Sequence, residues 1–370
     1  MAASSSGTDN IIAALGESNR ICQVDLSLAG WQLGQVLAAM QVPFPKLTDL
    51  WLRSDGETVP VIPDSFLDGS APRLRHFSLS GIPFPGLPKL LLSAAHLVYL
   101  RLLNIPHSGY ISPEAIVALI SVLSGLEGLS LEFQSPRSHP DRRPPPSRRF
   151  VIPALVSLLF KGVVEYLEDL VTRIDTPQLD GLDITFFNQV DIDTPRLAQF
   201  INRTPKLRKR DAHVQFNDNF ARVGLPPGYR TLEIAISCRE PDWQLSSIEQ
   251  ICNSSLYPLS TVEDLYIEHE YSELVWKDDA IENSLWLQLL FPFTAVKNLY
   301  LSKDFAPGVA TALRELVEDG MTEVLPGLQN IFVEKLEPSG PFQENIGQFV
   351  AARQLSDHPI AILVWDMKPM

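Results

Sequence analysis

The sequence is poor in cysteine and in positive charge, and it has no long apolar run. Its three cysteines, Cys22, Cys238 and Cys252, are odd in number and widely spaced, and none forms a C-x-x-C pair. A disulfide framework or a zinc site is therefore not expected. No stretch reaches the roughly 18 uninterrupted apolar residues of a membrane helix. Met1 to Asn10 is small and polar, without the charged start and apolar run of a signal peptide. A reducing compartment, cytoplasmic or nuclear, and no membrane partner are the expectations. Against 44 acidic residues stand only 30 basic ones, a formal net charge of −14. That balance argues against a general nucleic-acid binder, which needs clustered cations. The charge is uneven: Glu240 to Glu337 carries 18 acidic and 5 basic residues, whereas Arg196 to Arg230 carries 8 basic and 2 acidic.

Catalytic motifs are missing as well. There is no G-x-x-x-x-G-K-[ST], no G-x-S-x-G and no H-E-x-x-H. The nearest phosphate-loop miss, Gly81 to Gly86, is interrupted by prolines that remove the N–H groups a phosphate would need. His269 and Glu270 lack the second histidine of a metal motif. Paired carboxylates such as Asp278–Asp279 and Glu318–Asp319 lie in polar runs where solvation accounts for them. No catalytic residue, cofactor site or metal site is expected, and an enzyme is not.

What the chain does have is a repeat. An apolar-x-x-apolar-x-apolar pattern, often preceded by Pro and one further residue, recurs at Leu47/Leu50/Leu52, Leu74/Phe77/Leu79, Leu97/Leu100/Leu102 and Leu126/Leu129/Leu131. It continues at Leu155/Leu158/Phe160, Leu179/Leu182/Ile184, Val262/Leu265/Ile267, Val296/Leu299/Leu301 and Leu328/Ile331/Val333. Weaker copies begin at Ile21, at Leu207 (with Arg210 on an apolar position) and at Tyr229, and His358 to Trp365 reads as a closing strand. Starts fall 22 to 34 residues apart. The L-x-L alternation marks a strand with one face buried. Helices are expected between strands, at Gln32–Met40, Ser112–Leu123, Gly162–Ile174, Asp193–Ile201, Gln244–Leu256, Pro307–Asp319 and Phe342–Gln354. Such a period predicts an α/β leucine-rich-repeat solenoid, a horseshoe with a curved parallel sheet on its concave face and helices or irregular turns outside. The domain reading is a flexible N-terminus over 1–15, then about 12 irregular repeats over 16–370. A loop over 134–149, with five prolines and five arginines, interrupts them.

Residues between the buried positions face the concave side. The expected central column runs Trp51, Ser78, Arg101, Ser130, Leu159, Asp183, Asp211, Glu233, Tyr266, Tyr300, Phe332. Flanking it are Asp49, Arg53, His76, Tyr99, Glu132, Lys161, Asp264, Glu268, Asn298, Asn330 and Glu334. The candidate partner-binding residues are Trp51, Tyr99, Arg101, Asp183, Asp211, Glu233, Tyr266, Tyr300 and Phe332, because exposed aromatics anchor protein interfaces. The competing expectation is that loops or the chain's own C-terminal segment cover them.

Thr176 to Asn188, Asp193 to Leu207, Asn19 to Leu26 and Val42 to Leu50 together resemble the F-box/leucine-rich-repeat proteins expanded in mushroom-forming fungi, the basidiomycetes. The resemblance runs from about residue 15 onward. It implies a repeat region that selects a protein substrate and an F-box that docks on the adaptor of a cullin-RING ubiquitin ligase. No F-box is recognisable: the stretch before the first repeat is too short for one, and no L-P-x-E opening occurs. The expected function is thus protein–protein interaction, of the substrate-recognition kind. Set beside it are a ligase-independent scaffold, a non-functional truncated paralogue, and a nucleic-acid binder using Lys206, Arg208, Lys209, Arg210 and the arginine loop.

Overall fold

The computed structural model describes residues 5–56, 58–84, 88–136, 148–187, 192–207, 211–224, 232–254, 259–269, 283–318, 324–334 and 341–365. It divides into two compact units, Met1–Asp183 and Ile184–Met370.

The first unit runs α1 (Ser5–Leu15), β1 (Gln23–Ala29), α2 (Gly30–Ala39), β2 (Asp49–Asp55), β3 (His76–Ser80), α3 (Pro88–Ser93), β4 (Tyr99–Ile105), α4 (Pro113–Ile120) and β5 (Gly128–Phe133). It continues with β6 (Phe150–Val151), β7 (Ser157–Gly162), α5 (Val164–Arg173) and β8 (Ile174–Asp175), and β9 (Gly181–Phe187) spans the division. Strands β1, β2, β3, β4, β5 and β7 pair in parallel, in sequence order. Gln23, Asp49, His76, Tyr99, Gly128 and Ser157 are successive register partners. Their spacing of 26, 27, 23, 29 and 29 residues is the spacing of the sequence repeat.

The repeat's apolar positions explain this register. Leu47, Leu74, Leu97, Leu126 and Leu155 are fully buried beneath the strand starts. Above them, Leu50/Leu52, Phe77/Leu79, Leu100/Leu102, Leu129/Leu131 and Leu158/Phe160 stack on one another across the ladder. Each buried side chain contributes about 1.5–3 kcal/mol. A one-residue slip would turn all of them to water, so the register is strongly specified.

Local chemistry fixes the returning helices. Ser112 caps α4, its Oγ accepting from the Ala115 N–H at 3.2 Å, with Pro113 in the first turn, a cap worth about 1 kcal/mol. Buried Arg173 donates to Asp169 on its own helix, at 3.1 and 3.2 Å, and to Glu114 beside α4's start at 2.7 Å, which ties α5 to α4. The Tyr166 hydroxyl donates to the Ile111 carbonyl at 3.0 Å. Residues 5–15, expected to be flexible, instead form α1. Its buried Thr8 accepts from Gln32 of α2 at 3.1 Å, and Leu15 is buried, so this helix has packing of its own. Of the loop expected over 134–149, residues 137–147 lie outside the described residues. Just after it, β6 pairs in parallel with β8 in a small separate ladder.

The second unit runs α6 (Pro195–Asn202), β10 (Asp211–Phe216), β11 (Phe220–Gly224), β12 (Leu232–Ser237), α7 (Pro241–Asn253) and β13 (Asp264–His269). It ends with α8 (Asn283–Leu290), β14 (Asn298–Leu301), α9 (Ala306–Glu318), β15 (Asn330–Glu334), α10 (Pro341–Leu355) and β16 (Ala361–Trp365). Its strands lie in the order β12-β11-β10-β13-β14-β15-β16. From β10 through β13 to β16 the pairing is parallel. The beginning corrects the expected all-parallel sheet: β11 is antiparallel to both β10 and β12. A tight turn makes the reversal, with Asn217 Oδ1 accepting from the N–H groups of Asn219 (2.9 Å) and Phe220 (3.0 Å). This local bond is what Asn offers a turn. A hairpin needs only such a turn, whereas a parallel return needs a crossover. The copies expected at Leu207 and Tyr229 are therefore not two ordinary repeats; Tyr229 and Arg210 lie outside the described residues.

Candidate functional site

In the second unit, strand alternation sends Ala212, Val214, Leu265, Ile267, Leu299, Leu301, Ile331 and Val333 into the core. The residues between them form rows on the open face. The central row runs Glu233, Gly224, His213, Tyr266, Tyr300, Phe332, Leu363 by register. Four of its rings stack in series: His213 on Tyr266 (centroids 4.2 Å, planes 6° apart), Tyr266 on Tyr300 (4.2 Å, 8°) and Tyr300 on Phe332 (4.4 Å, 9°). All four are partly exposed. Adjacent parallel strands impose a spacing near 4.8 Å, so flat rings at matched positions meet face to face. Trp365, from β16, closes one side with its ring 5.4 Å from Tyr300 and 6.1 Å from Tyr266, and its indole N–H donates to the Leu301 carbonyl at 3.4 Å.

Polar rows flank the rings on both sides. On one side Asp211 is the register partner of Asp264, Asp264 of Asn298 and Asn298 of Asn330. The amides form a ladder: Asn330 Nδ2 donates to Asn298 Oδ1 (2.8 Å) and Asn298 Nδ2 to Asp264 Oδ1 (2.6 Å). On the other side Arg222 donates to Gln215 (2.6 Å) and Glu233 (3.1 Å), and Gln215 donates to Glu268 (2.9 Å). His213 Nδ1 faces Glu268 Oε2 at 3.6 Å. Burial works against the Glu268 carboxylate, but the bonds from His213 and Gln215, with the charge of Arg222, outweigh it and hold its pKa below the usual range. The Tyr266 phenol is pushed well above its ordinary value, first by burial, then by Tyr300, Asp264 and Asp211. Burial likewise raises Tyr300, partly offset by its bond with Tyr266.

The open face of the first unit is built differently. Trp51, Ser78, Arg101, Ser130 and Leu159 align as one row, as the repeat predicts. The Gly181 N–H donates to the Val156 carbonyl, the bond that the Ser157 N–H makes to Glu127 one strand earlier, and this places Asp183 beside Leu159. The next row holds Gln23, Asp49, His76, Tyr99 and Gly128. His76 Nδ1 bonds to Asp49, whose carboxylate also accepts from Thr48 (2.6 Å) and Gln23 (3.1 Å). Burial would raise Asp49, but these three bonds hold it below the usual range. The His76 ring stacks on Tyr99 (5.2 Å, 9°) and on Trp51 (6.3 Å, 27°). Tyr99 in turn lies over Gly128, where a Cβ would come within 2.5 Å of its ring.

Of the candidate residues, Trp51, Arg101 and Asp183 share one row of the first unit, and Tyr99 stands one row away. Tyr266, Tyr300 and Phe332 are contiguous as expected. Asp211 is corrected: it pairs with Asp264, and the place beside Tyr266 belongs to His213. The reason is a two-residue register shift. Ala212 and Val214, not Arg210 and Ala212, match the buried Leu265 and Ile267. A shift of two keeps the face and changes the neighbours. Glu233 does fall in the Tyr266 row, separated from it by Gly224 and His213. No sequence signal pointed to β11, and thus none to Arg222. Trp365 was expected as part of a closing strand, and the expected cover from the C-terminal segment is present to that extent.

Among the described residues no group of three or more His, Cys, Asp or Glu is placed to hold a metal, and no helix is long and apolar enough to cross a membrane. His269 pairs with Asp304 at 3.5 Å, while Glu270 lies outside the described residues. Cys238 and Cys252 are buried and free, and burial raises both thiols.

No family model matches this sequence, and no curated protein does. Among solved structures the chain is similar to the leucine-rich repeat-containing protein LegL7 from Legionella pneumophila, with 14% identity, a TM-score of 0.34, and coverage of 92% of this chain and 94% of that one.

Proposed function

We propose that this chain is a leucine-rich-repeat binding solenoid without catalytic machinery, and that it holds a protein partner on the open sheet face of its second unit. The observation that carries this reading is the row His213, Tyr266, Tyr300, Phe332: four partly exposed rings stacked in register. Rings held this way lose little freedom on binding and offer broad contact area, and aromatic anchors dominate interface energetics, often at about 2 kcal/mol or more each. The polar rows to either side fit the rim that surrounds such anchors.

The resemblance to F-box/leucine-rich-repeat proteins supports a finer version, in which the partner is a substrate presented to a ubiquitin ligase. The test is affinity capture from a basidiomycete lysate by the tagged chain and by its Tyr266→Ala/Tyr300→Ala variant, read by mass spectrometry. A protein captured by the former and lost by the folded variant supports the binding face. Co-capture of a cullin and its adaptor supports the ligase role, and their absence favours a ligase-independent scaffold. Equal capture by both chains contradicts the aromatic face.

A further inference from the structure

The two polar rows flanking the rings are not equivalent. On the Arg222 side the carboxylates are engaged within the fold: Glu233 by Arg222, Glu268 by Gln215 and His213, and Glu334 by the Lys303 N–H at 3.5 Å. On the other side Asp211 and Asp264 are direct register partners on neighbouring parallel strands, both partly exposed. Among the described residues no cation pairs with either. Asp264 receives one neutral amide, from Asn298. Two like charges side by side on a sheet repel, and a counter-charge from outside would relieve that. Their field reaches the adjoining row, since both carboxylates bear on the Tyr266 phenol. The stretch Glu240 to Glu337, which supplies β13, β14 and β15, has 18 acidic against 5 basic residues.

We propose that this face takes an arginine-containing extended peptide segment of its partner, with the guanidinium set between Asp211 and Asp264 and its stem along Tyr266 and Tyr300. The inference rests on the binding-face reading above and deepens it. Arginine fits better than lysine on three counts. Its planar fork can serve two carboxylates at once. Its flat, weakly hydrated head tolerates the apolar neighbourhood of stacked rings. Its stem is apolar enough to lie against them. The four ring-bearing strands β10, β13, β14 and β15 span roughly 14 Å at 4.8 Å per step, the length of about four extended residues. A segment crossing the strands would meet one ring per strand and present alternate side chains to the face.

The test is fluorescence anisotropy of a short labelled peptide alternating arginine and alanine, titrated with the whole chain. Lysine, citrulline and glutamate versions of the peptide form the other arms. Expected are saturable binding of the arginine peptide, weaker binding of the lysine peptide, and none of the citrulline or glutamate peptides. Asp211→Asn/Asp264→Asn should weaken the arginine peptide at least about tenfold, the scale of a close charge pair at an interface. Its melting and circular dichroism should match the parent. Glu17→Gln/Glu127→Gln, which removes the same charge from exposed positions elsewhere, is the control for bulk attraction. Equal loss in the control, or undiminished binding by the Asp211/Asp264 variant, overturns the proposal. In the lysate experiment, a partner that is lost with Tyr266→Ala/Tyr300→Ala but kept with Asp211→Asn/Asp264→Asn leaves the binding face standing and rejects the arginine segment. Loss with neither variant rejects both.

Discussion

Both units set a histidine ring against a tyrosine and hold it with a buried carboxylate: His76 with Tyr99 and Asp49 in the first, His213 with Tyr266 and Glu268 in the second. They then diverge. In the first unit the run of rings stops at Tyr99, which folds down over Gly128, and Asp49 is saturated by Thr48, Gln23 and His76. The neighbouring rows carry Arg53, Arg101 and Lys161. In the second unit the run continues to Phe332, and the adjoining carboxylates Asp211 and Asp264 meet no cation among the described residues. The same local device thus ends in a short cluster with a saturated carboxylate and an exposed Tyr99 in one unit, and in a longer, anionic, aromatic strip in the other. The register neighbours of the histidine, rather than the histidine itself, make the difference: Gly128 lies beyond Tyr99, whereas Tyr300 and Phe332 lie beyond Tyr266.

Substitutions at several depths should separate the two clusters. The largest effect should come from the core that both faces rest on. Leu100→Asp in the first unit and Leu265→Asp in the second each place a charge at a fully buried site. Each should cost upwards of about 3 kcal/mol and abolish cooperative melting of the unit that carries it. Next is the first-unit cluster. Gly128→Val should force Tyr99 off its seat, at about 1–3 kcal/mol in urea titration, whereas Gly224, over which Glu233 leans at 3.6 Å, should tolerate alanine far better. Comparable in size is His213→Ala, which removes the end of the ring stack and a partner of Glu268, at about 1–3 kcal/mol. Smallest is Trp365→Ala: losing an edge contact of about 0.5–1.5 kcal/mol, it should alter the near-ultraviolet dichroism of Tyr266 and Tyr300 while leaving the first unit unchanged.

Acid should act on both clusters in the same direction. Asp49 and Glu268 have folded pKa values below their ordinary ones. The stability they contribute is complete above the unfolded values, near 4, and is lost as the pH falls through the folded ones. Melting temperature should therefore drop between about pH 5 and pH 3, and Asp49→Asn and Glu268→Gln should each flatten that slope. Glu132 has the opposite sign, because burial raises it despite Lys161 and Arg101. Its charged form is disfavoured in the fold, so Glu132→Gln should be neutral or slightly stabilising at pH 7.

The first unit was legible in the sequence almost residue by residue. In its strong copies the repeat starts with a fully buried apolar residue, so the spacing of Leu47, Leu74, Leu97, Leu126 and Leu155 translates directly into strand register. In the second unit the helices α6 and α7 were legible, but the sheet only from β13 onward. Near Arg210 the apolar pattern is degenerate, and a two-residue shift keeps the same face, while the five-residue run Phe220 to Gly224 is too short to announce a hairpin strand. The aromatic strip was therefore foreseen in its C-terminal three members. Its fourth, His213, and the Arg222 network beside it depended on a reversal of chain direction that the period of the repeat does not encode.

The decisive experiment sets the two faces against each other: quantitative capture of the same lysate partner by the parent chain, by Trp51→Ala/Tyr99→Ala and by Tyr266→Ala/Tyr300→Ala, each first shown to melt cooperatively. If binding belongs to the aromatic strip, the first-unit variant retains the partner and the second-unit variant loses it. Loss in the first-unit variant with retention in the second would contradict the assignment of binding to that strip.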